Sequence, residues 1–221
     1  MIPLEQESVV LTEATVNGLV LVDIINGFYT VSSGNLAPRE ANKQISGMIN
    51  KSERLARLFC EKKFSVMAFL DSHHPNKSED PYPPHCIVGS DESNLVLENE
   101  SNVTIKRKDC FDGYLGSIEE DISNVFVDWV KKNKINSVCT DICMLDFMCS
   151  TMSAKNRGFL EPLKSIVVYS RGCTTFDIPL EVAYDTKGTL AHPQSQWNNH
   201  YCGYYPGGGI ELKNQTTFQK D

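Results

Sequence analysis

The sequence predicts an α/β fold, a three-layer αβα sandwich around a mainly parallel central sheet. Short continuous apolar runs alternate with stretches of helical periodicity along most of the chain, and such alternation implies right-handed crossovers and a sheet covered on both faces. The apolar runs end in charged or polar residues, as buried parallel strands do where they leave the core. No internal repeat, low-complexity linker or shift in composition divides the chain, so 1–221 reads as one domain with an N-terminal arm at 1–16 and a C-terminal tail at 196–221.

Residues 1–16 have no clear period and are expected to be a partly ordered arm. Leu19-Val20-Leu21-Val22 is an apolar run ending in Asp23, the first strand. From about 39 to 62, Ile45, Met48, Ile49, Leu55, Leu58 and Phe59 recur at helical spacing and give the first crossover helix. A second strand at 64–70 ends in Asp71. Residues 71–94 lack a period and hold Pro75, Pro81, Pro83 and Pro84, which marks a long structured loop of the kind usually tied to function. A weaker third strand at 102–106 leads to Lys108. Ser117 and Glu120 are spaced as a capping box, so a helix is expected from about 117 to 132. The fourth strand is expected at 135–138, followed by a helix from about Cys143 to Asn156 that stops at Gly158. A fifth strand at Ser165–Tyr169, a helix at 179–190 and a short strand near 210–218 complete the reading.

With 41% apolar residues the chain can build a sizeable core. A net charge of -7 and a pI near 5.3 argue against a nucleic-acid backbone or an anionic membrane as partner. There is no basic N-terminal segment followed by an apolar core, and no apolar run approaches membrane-spanning length. The expectation is a soluble, cytoplasmic chain acting on a small molecule, and a homo-oligomer is compatible with the sequence. Its eight cysteines read as reduced thiols rather than a disulfide framework.

In a parallel sheet, ligands bind beyond the carboxyl ends of the strands. Asp23, Asp71, Lys108 and Cys143 all follow predicted strands and would meet on that rim. Cys143 opens a helix, where unpaired N–H groups and the helix dipole favour thiolate. Asp23 would accept the thiol proton, and Lys108 would hold that carboxylate ionised. Asp71-Ser-His73, joined by His85 after Pro83-Pro84, offers one carboxylate and two imidazoles, a mixed set that suits Zn, Fe or Mn and leaves positions open. Glu79 is a further ligand, directly or through water. His74 is expected to point away, Cys149 to be a core thiol, and His192 and His200 to take no part in the chemistry.

Six stretches carry a family resemblance: Leu-Val-Asp23-Ile-Ile-Asn-Gly-Phe28, Asp71-Ser-His-His-Pro, Pro-Tyr-Pro-Pro-His85-Cys, Arg-Lys108-Asp-Cys, Cys139-Thr-Asp-Ile-Cys143 and Tyr-Ser-Arg-Gly-Cys173. Together, over about 17–195, they resemble the nicotinamidases of the isochorismatase-like cysteine hydrolases, the plant type above all. The resemblance implies an isochorismatase-like hydrolase fold, a catalytic triad of Asp23, Lys108 and Cys143, and a metal, usually Zn2+, on Asp71, His73 and His85. It implies conversion of nicotinamide to nicotinate and ammonia through a thioester, for NAD salvage, with the metal on the pyridine nitrogen and Phe28 in the pocket wall. Backbone N–H groups at Cys139 and Cys143 would receive the oxyanion, next to a cis peptide before Cys139.

One stretch departs from the family. Residues 131–138, Lys-Lys-Asn-Lys-Ile-Asn-Ser-Val, give the fourth strand only Ile135 and Val138 as aliphatics where a near-continuous apolar run is usual, so a short or strained strand is expected there. Two alternatives therefore stand beside an active nicotinamidase: a metal- or ligand-binding relative without turnover, and a cysteine hydrolase of another amide or an enol ether.

Overall fold

The structure, a computed structural model, describes residues 7–12, 15–77, 79, 82–96, 103–140, 144–169, 172–185, 190–194 and 210–219. Among these, seven strands form one sheet: β1 (Glu7–Thr12), β2 (Asn17–Val22), β3 (Ser65–Asp71), β4 (Val103–Lys108), β5 (Ser137–Thr140), β6 (Ser165–Tyr169) and β7 (Ile210–Gln219). Their order is β1-β7-β6-β5-β2-β3-β4, and every neighbouring pair is parallel. The helices are α1 (Asn26–Tyr29), α2 (Lys43–Glu61), α3 (Val125–Lys132), α4 (Met144–Asn156) and α5 (Leu180–Asp185).

Side chains alternate across a strand, and the two faces of β2 and β3 seed separate cores. Leu19, Leu21, Val66, Ala68 and Leu70 pack with Ile45, Met48, Leu55 and Phe59 of α2. Val20, Val22, Met67 and Phe69 pack on the other face with Phe126, Trp129 and Val130 of α3 and Phe147 and Met148 of α4. This is the expected three-layer sandwich. None of the helices among the described residues is long and apolar enough to cross a membrane.

Capping decides where two helices begin. The Asn42 side chain accepts the N–H groups of Gln44 and Ile45 at 2.8 and 3.2 Å, which starts α2 after the residue expected. Asn124 does the same for Val127 at 3.0 Å, so α3 begins at Val125 and not near 117. Ser117 instead ends a 3₁₀ turn at Leu115–Ser117, and its hydroxyl donates to Gly113 O at 2.7 Å. The capping box with Glu120 does not form, and Ile122 sits at φ 63, outside any helix.

The fourth strand of the sequence reading, β5 here, lies two residues later than expected. Ile135 is fully buried ahead of it, against Gly18, where a Cβ would come within 2.8 Å of the Ile135 Cδ1 and Trp129 Cη2 atoms. Asn136 then bonds to both neighbours: its N–H reaches Val16 O at 2.8 Å, and its carbonyl accepts Lys164 N at 2.8 Å and Ser165 N at 3.1 Å. From Ser137 to Thr140 the strand is paired on both sides, with β2 and β6. The polar residues thus serve the strand's approach, and Cys139 and Thr140 extend it. Among the described residues the cis peptide is Glu161–Pro162, not the bond expected before Cys139.

Other expectations also change. Residues 7–12 of the arm form β1, an edge strand beside β7. Cys149 is exposed. On α4 the buried positions are Phe147, Met148, Thr151 and Ala154, a helical stripe that turns Cys149 outward, and Gly158 at φ 79 follows the helix end. Cys60, Cys86, Cys110, Cys149 and Cys173 form no disulfide among the described residues.

Candidate active site

Register brings the charged strand ends together. Asp71 and Lys108 are directly paired in β3 and β4, and Asp23 follows the Val22–Phe69 pair that closes β2 against β3. Asp23 adopts φ 58, a left-handed conformation that costs energy for any residue but Gly and is held here by its surroundings. Its N–H donates to Phe69 O at 2.9 Å, and its Oδ1 accepts the N–H of Asp71 at 2.9 Å. Lys108 reaches across β3, placing Nζ 2.8 Å from Asp23 Oδ2 and 3.7 Å from Asp71 Oδ1. The same ammonium donates to Cys110 O at 2.9 Å. All three residues are at least 96% buried, where ions persist only when paired and hydrogen-bonded. Gly116 makes room for the lysine stem, since a Cβ there would lie 2.6 Å from Lys108 Cβ.

Beside this pair, Asp71, His73, Glu79 and His85 each direct a ligand atom to one point, all within 4.8 Å of one another. His73 Nε2 is 3.0 Å from Asp71 Oδ2 and 3.4 Å from Glu79 Oε2. His85 Nε2 is 3.2 and 3.5 Å from the same two atoms. His85 Nδ1 donates to Pro83 O at 2.8 Å, so the neutral ring presents its Nε2 lone pair to the cluster, an orientation typical of metal-binding histidines. Two nitrogen and two oxygen donors in this arrangement fit a divalent ion such as Zn2+.

Without the ion, the carboxylates draw protons onto the rings. Hydrogen bonds to Asp71 and then Glu79 raise the His73 pKa to about 9. For His85, burial opposes ionisation, but Asp71, Glu79 and the Pro83 carbonyl prevail and raise it to about 10. Burial likewise works against Asp71, and hydrogen bonds from His73 and His85 with the Lys108 charge hold its carboxyl well below the usual range.

A single pocket joins both groups. Asp23, Asp71, Glu79, His85 and Lys108 form its polar wall, and Phe28, Leu36, Tyr82, Phe111 and Phe176 its apolar one. Phe28 lies in this lining, 5.9 Å from the His85 ring. His74 is exposed, facing away. Cys143 lies outside the described residues, as does His200; β5 ends at Thr140, and α4 begins at Met144 directly after Cys143. Cys139 sits within β5 between Leu19 and Val167. His192, expected to take no part in the chemistry, is buried and stacked on the pocket residue Phe176. The sequence reading missed Leu36, Tyr82, Phe111 and Phe176. Only Tyr82 had a signal, its place in the proline turn that delivers His85.

No family model matches the chain. The fold is shared with solved structures of low identity. An isochorismatase-like hydrolase from Alkaliphilus metalliredigens superposes with a TM-score of 0.61 at 12% identity, over 89% of this chain and 93% of that one. The pyrazinamidase of Pyrococcus horikoshii, solved in complex with zinc, gives 0.61 at 16% identity, over 89% and 98%. The sheet order, layers and buried donor cluster therefore define an isochorismatase-like hydrolase fold. Sequence narrows the class: Nicotinamidase 1 of Arabidopsis thaliana is 50% identical over 227 residues, 97% of this chain and 92% of that protein. The chain belongs to the nicotinamidase family.

Proposed function

We propose that this protein is a cytoplasmic, metal-dependent amidohydrolase that converts nicotinamide to nicotinate and ammonia for NAD salvage. The observation that carries the reading is one pocket lined by both the Asp23–Lys108 ion pair and the donors Asp71, Glu79 and His85. A four-donor cluster alone would fit a structural ion, and a buried ion pair alone would fit a core.

Cys143 is the nucleophile. Asp23 takes its thiol proton, the sulfur bonds to the carboxamide carbon, and the carbonyl π pair moves onto oxygen, where the N–H group of Cys143 stabilises it; Cys139, the other donor expected, lies within the β5 ladder between Leu19 and Val167. The oxyanion re-forms its carbonyl, the C–N bond breaks, and the nitrogen leaves as ammonia with the proton from Asp23. Water, deprotonated by the same carboxylate, attacks the thioester, releasing nicotinate and returning the thiol. Lys108 keeps Asp23 ionised and fixed between turnovers. Asp71, His73 and His85, with Glu79, would hold the divalent ion, which would supply a Lewis acid to the pyridine nitrogen. Pairing of β5 on both sides supports this reading over that of a relative without turnover, because the strand expected to be short or strained lies in register with β2 and β6.

Ammonia release from nicotinamide, with metal content measured on the same samples, tests the proposal. The wild type should release ammonia and nicotinate in equal amounts, and Cys143→Ala should fall by at least ~10³-fold. Wild-type protein with metal bound and thiol reduced that releases none would overturn it.

A further inference from the structure

Part of the pocket wall comes from a segment with no role in that chemistry. Phe176, in the stretch after β6, lines the pocket beside Asp71, His85 and Lys108. Its ring stacks on Phe28 at 5.7 Å and 22°, meets Tyr82 edge-on at 6.2 Å, and stacks on His192 at 4.2 Å and 23°. His192 comes from a separate stretch, 190–194, that is bonded to the Phe176 segment. Ile178 N–H donates to His192 O at 3.0 Å, and His192 N–H to Ile178 O at 2.8 Å. Thr175 Oγ1 lies 2.8 Å from His192 Nε2. Gln194 adds two donations, from its N–H to Asp177 Oδ1 at 3.0 Å and from Nε2 to Thr175 O at 2.7 Å. Burial holds the imidazole pKa down to about 4, with the Asp177 charge pulling the other way, so the ring stacks as a neutral aromatic near pH 7.

We propose that Phe176 is a specificity-determining residue for the substrate ring and that His192 is a positioning residue that fixes Phe176 in the pocket wall. An aliphatic at 192 would fill the space but could neither stack on Phe176 nor bond to Thr175. The inference rests on the nicotinamidase reading of the site.

The test is steady-state kinetics of the metal-loaded enzyme with nicotinamide and 5-methylnicotinamide, with metal content and melting confirming that each variant folds. His192→Ala should raise KM for nicotinamide about three- to tenfold with kcat changed less than about twofold, the loss of one aromatic stack. His192→Phe should bring KM back to within about twofold of wild type, since it keeps the ring. Phe176→Ala should raise the kcat/KM ratio of the methylated over the plain substrate about tenfold or more. An unchanged KM in His192→Ala, no rescue by His192→Phe, or an unmoved ratio in Phe176→Ala would each overturn the proposal. If His192→Ala does not fold, Phe176→Leu takes its place, with the same rise in KM expected and an unchanged KM equally fatal. Should the wild type bind nicotinamide in calorimetry yet release no ammonia, the functional reading fails while Kd tests the wall, a three- to tenfold loss in His192→Ala supporting it and none overturning it. A wild type that neither binds nor hydrolyses nicotinamide overturns both.

Discussion

The pocket's two walls are built by different means. The polar wall stands on strand ends: Asp23, Asp71 and Lys108 are placed by parallel register, and each buried charge has partners of fixed geometry. The apolar wall draws on loops and a short helix, and its rings are placed by packing on one another, Phe28 on Phe176 and Phe176 on His192. The difference lies in tolerance. Removing one member of a buried charge set exposes the full desolvation cost of those left behind, whereas removing one ring from a stack loses only that contact and the volume it filled.

The contrast predicts a hierarchy of effects. Lys108→Met leaves Asp23 and Asp71 facing each other without their cation and should lower stability by about 3–5 kcal/mol in urea unfolding; a loss below ~1 kcal/mol would break the picture of a wall held by paired charge. His85→Ala should leave a folded protein with bound zinc well below one equivalent and activity down by more than about 100-fold, since even groups that only support metal ligands cost 10–100-fold when removed. Full zinc content in that variant would show that the ion binds elsewhere.

The mildest effect concerns acid and the apolar wall. The His192 pKa lies near 4 in the folded protein against about 6.5 when unfolded. Between those values the unfolded chain binds the extra proton, so this group stabilises the fold above about pH 6.5 and the contribution is lost as pH falls towards 4. His192→Phe should remove that dependence, so the drop in melting temperature from pH 7 to pH 5 should be smaller in the variant. Equal drops in the two proteins would show that His192 does not titrate with unfolding.

Much of the polar wall was legible in the sequence because strand-borne residues announce themselves. A buried run such as Leu19 to Val22 must end where it leaves the core, and the charge that follows is then on the rim. Most of the apolar wall was not, because Phe176 and His192 are brought together by contacts between loops, the Ile178–His192 bridge among them, that no periodicity signals. The same limit explains β1, whose partner β7 lies at the far end of the sequence. The α3 start failed for a local reason: two capping signals, Ser117 and Asn124, competed, and the hydroxyl of Ser117 was taken by Gly113 O. For β5 the apolar count was sound but the frame was not, since Ile135 plugs the core before the strand begins and Asn136 is satisfied from both sides.

The Asp23–Lys108–Asp71 contact with Glu79 close by also bears on the valence of the ion the pocket can hold. Asp23 and Asp71 pair with the Lys108 ammonium and Glu79 adds a third carboxylate to the donor cluster, which leaves two negative charges uncompensated when the imidazoles are neutral. A monovalent cation would leave one of them exposed in a low-dielectric pocket, and a trivalent one would overshoot to net positive. A divalent ion alone brings the site to electrical balance, so its selection for 2+ ions is written in the count of its carboxylates as well as in the identity of its donors.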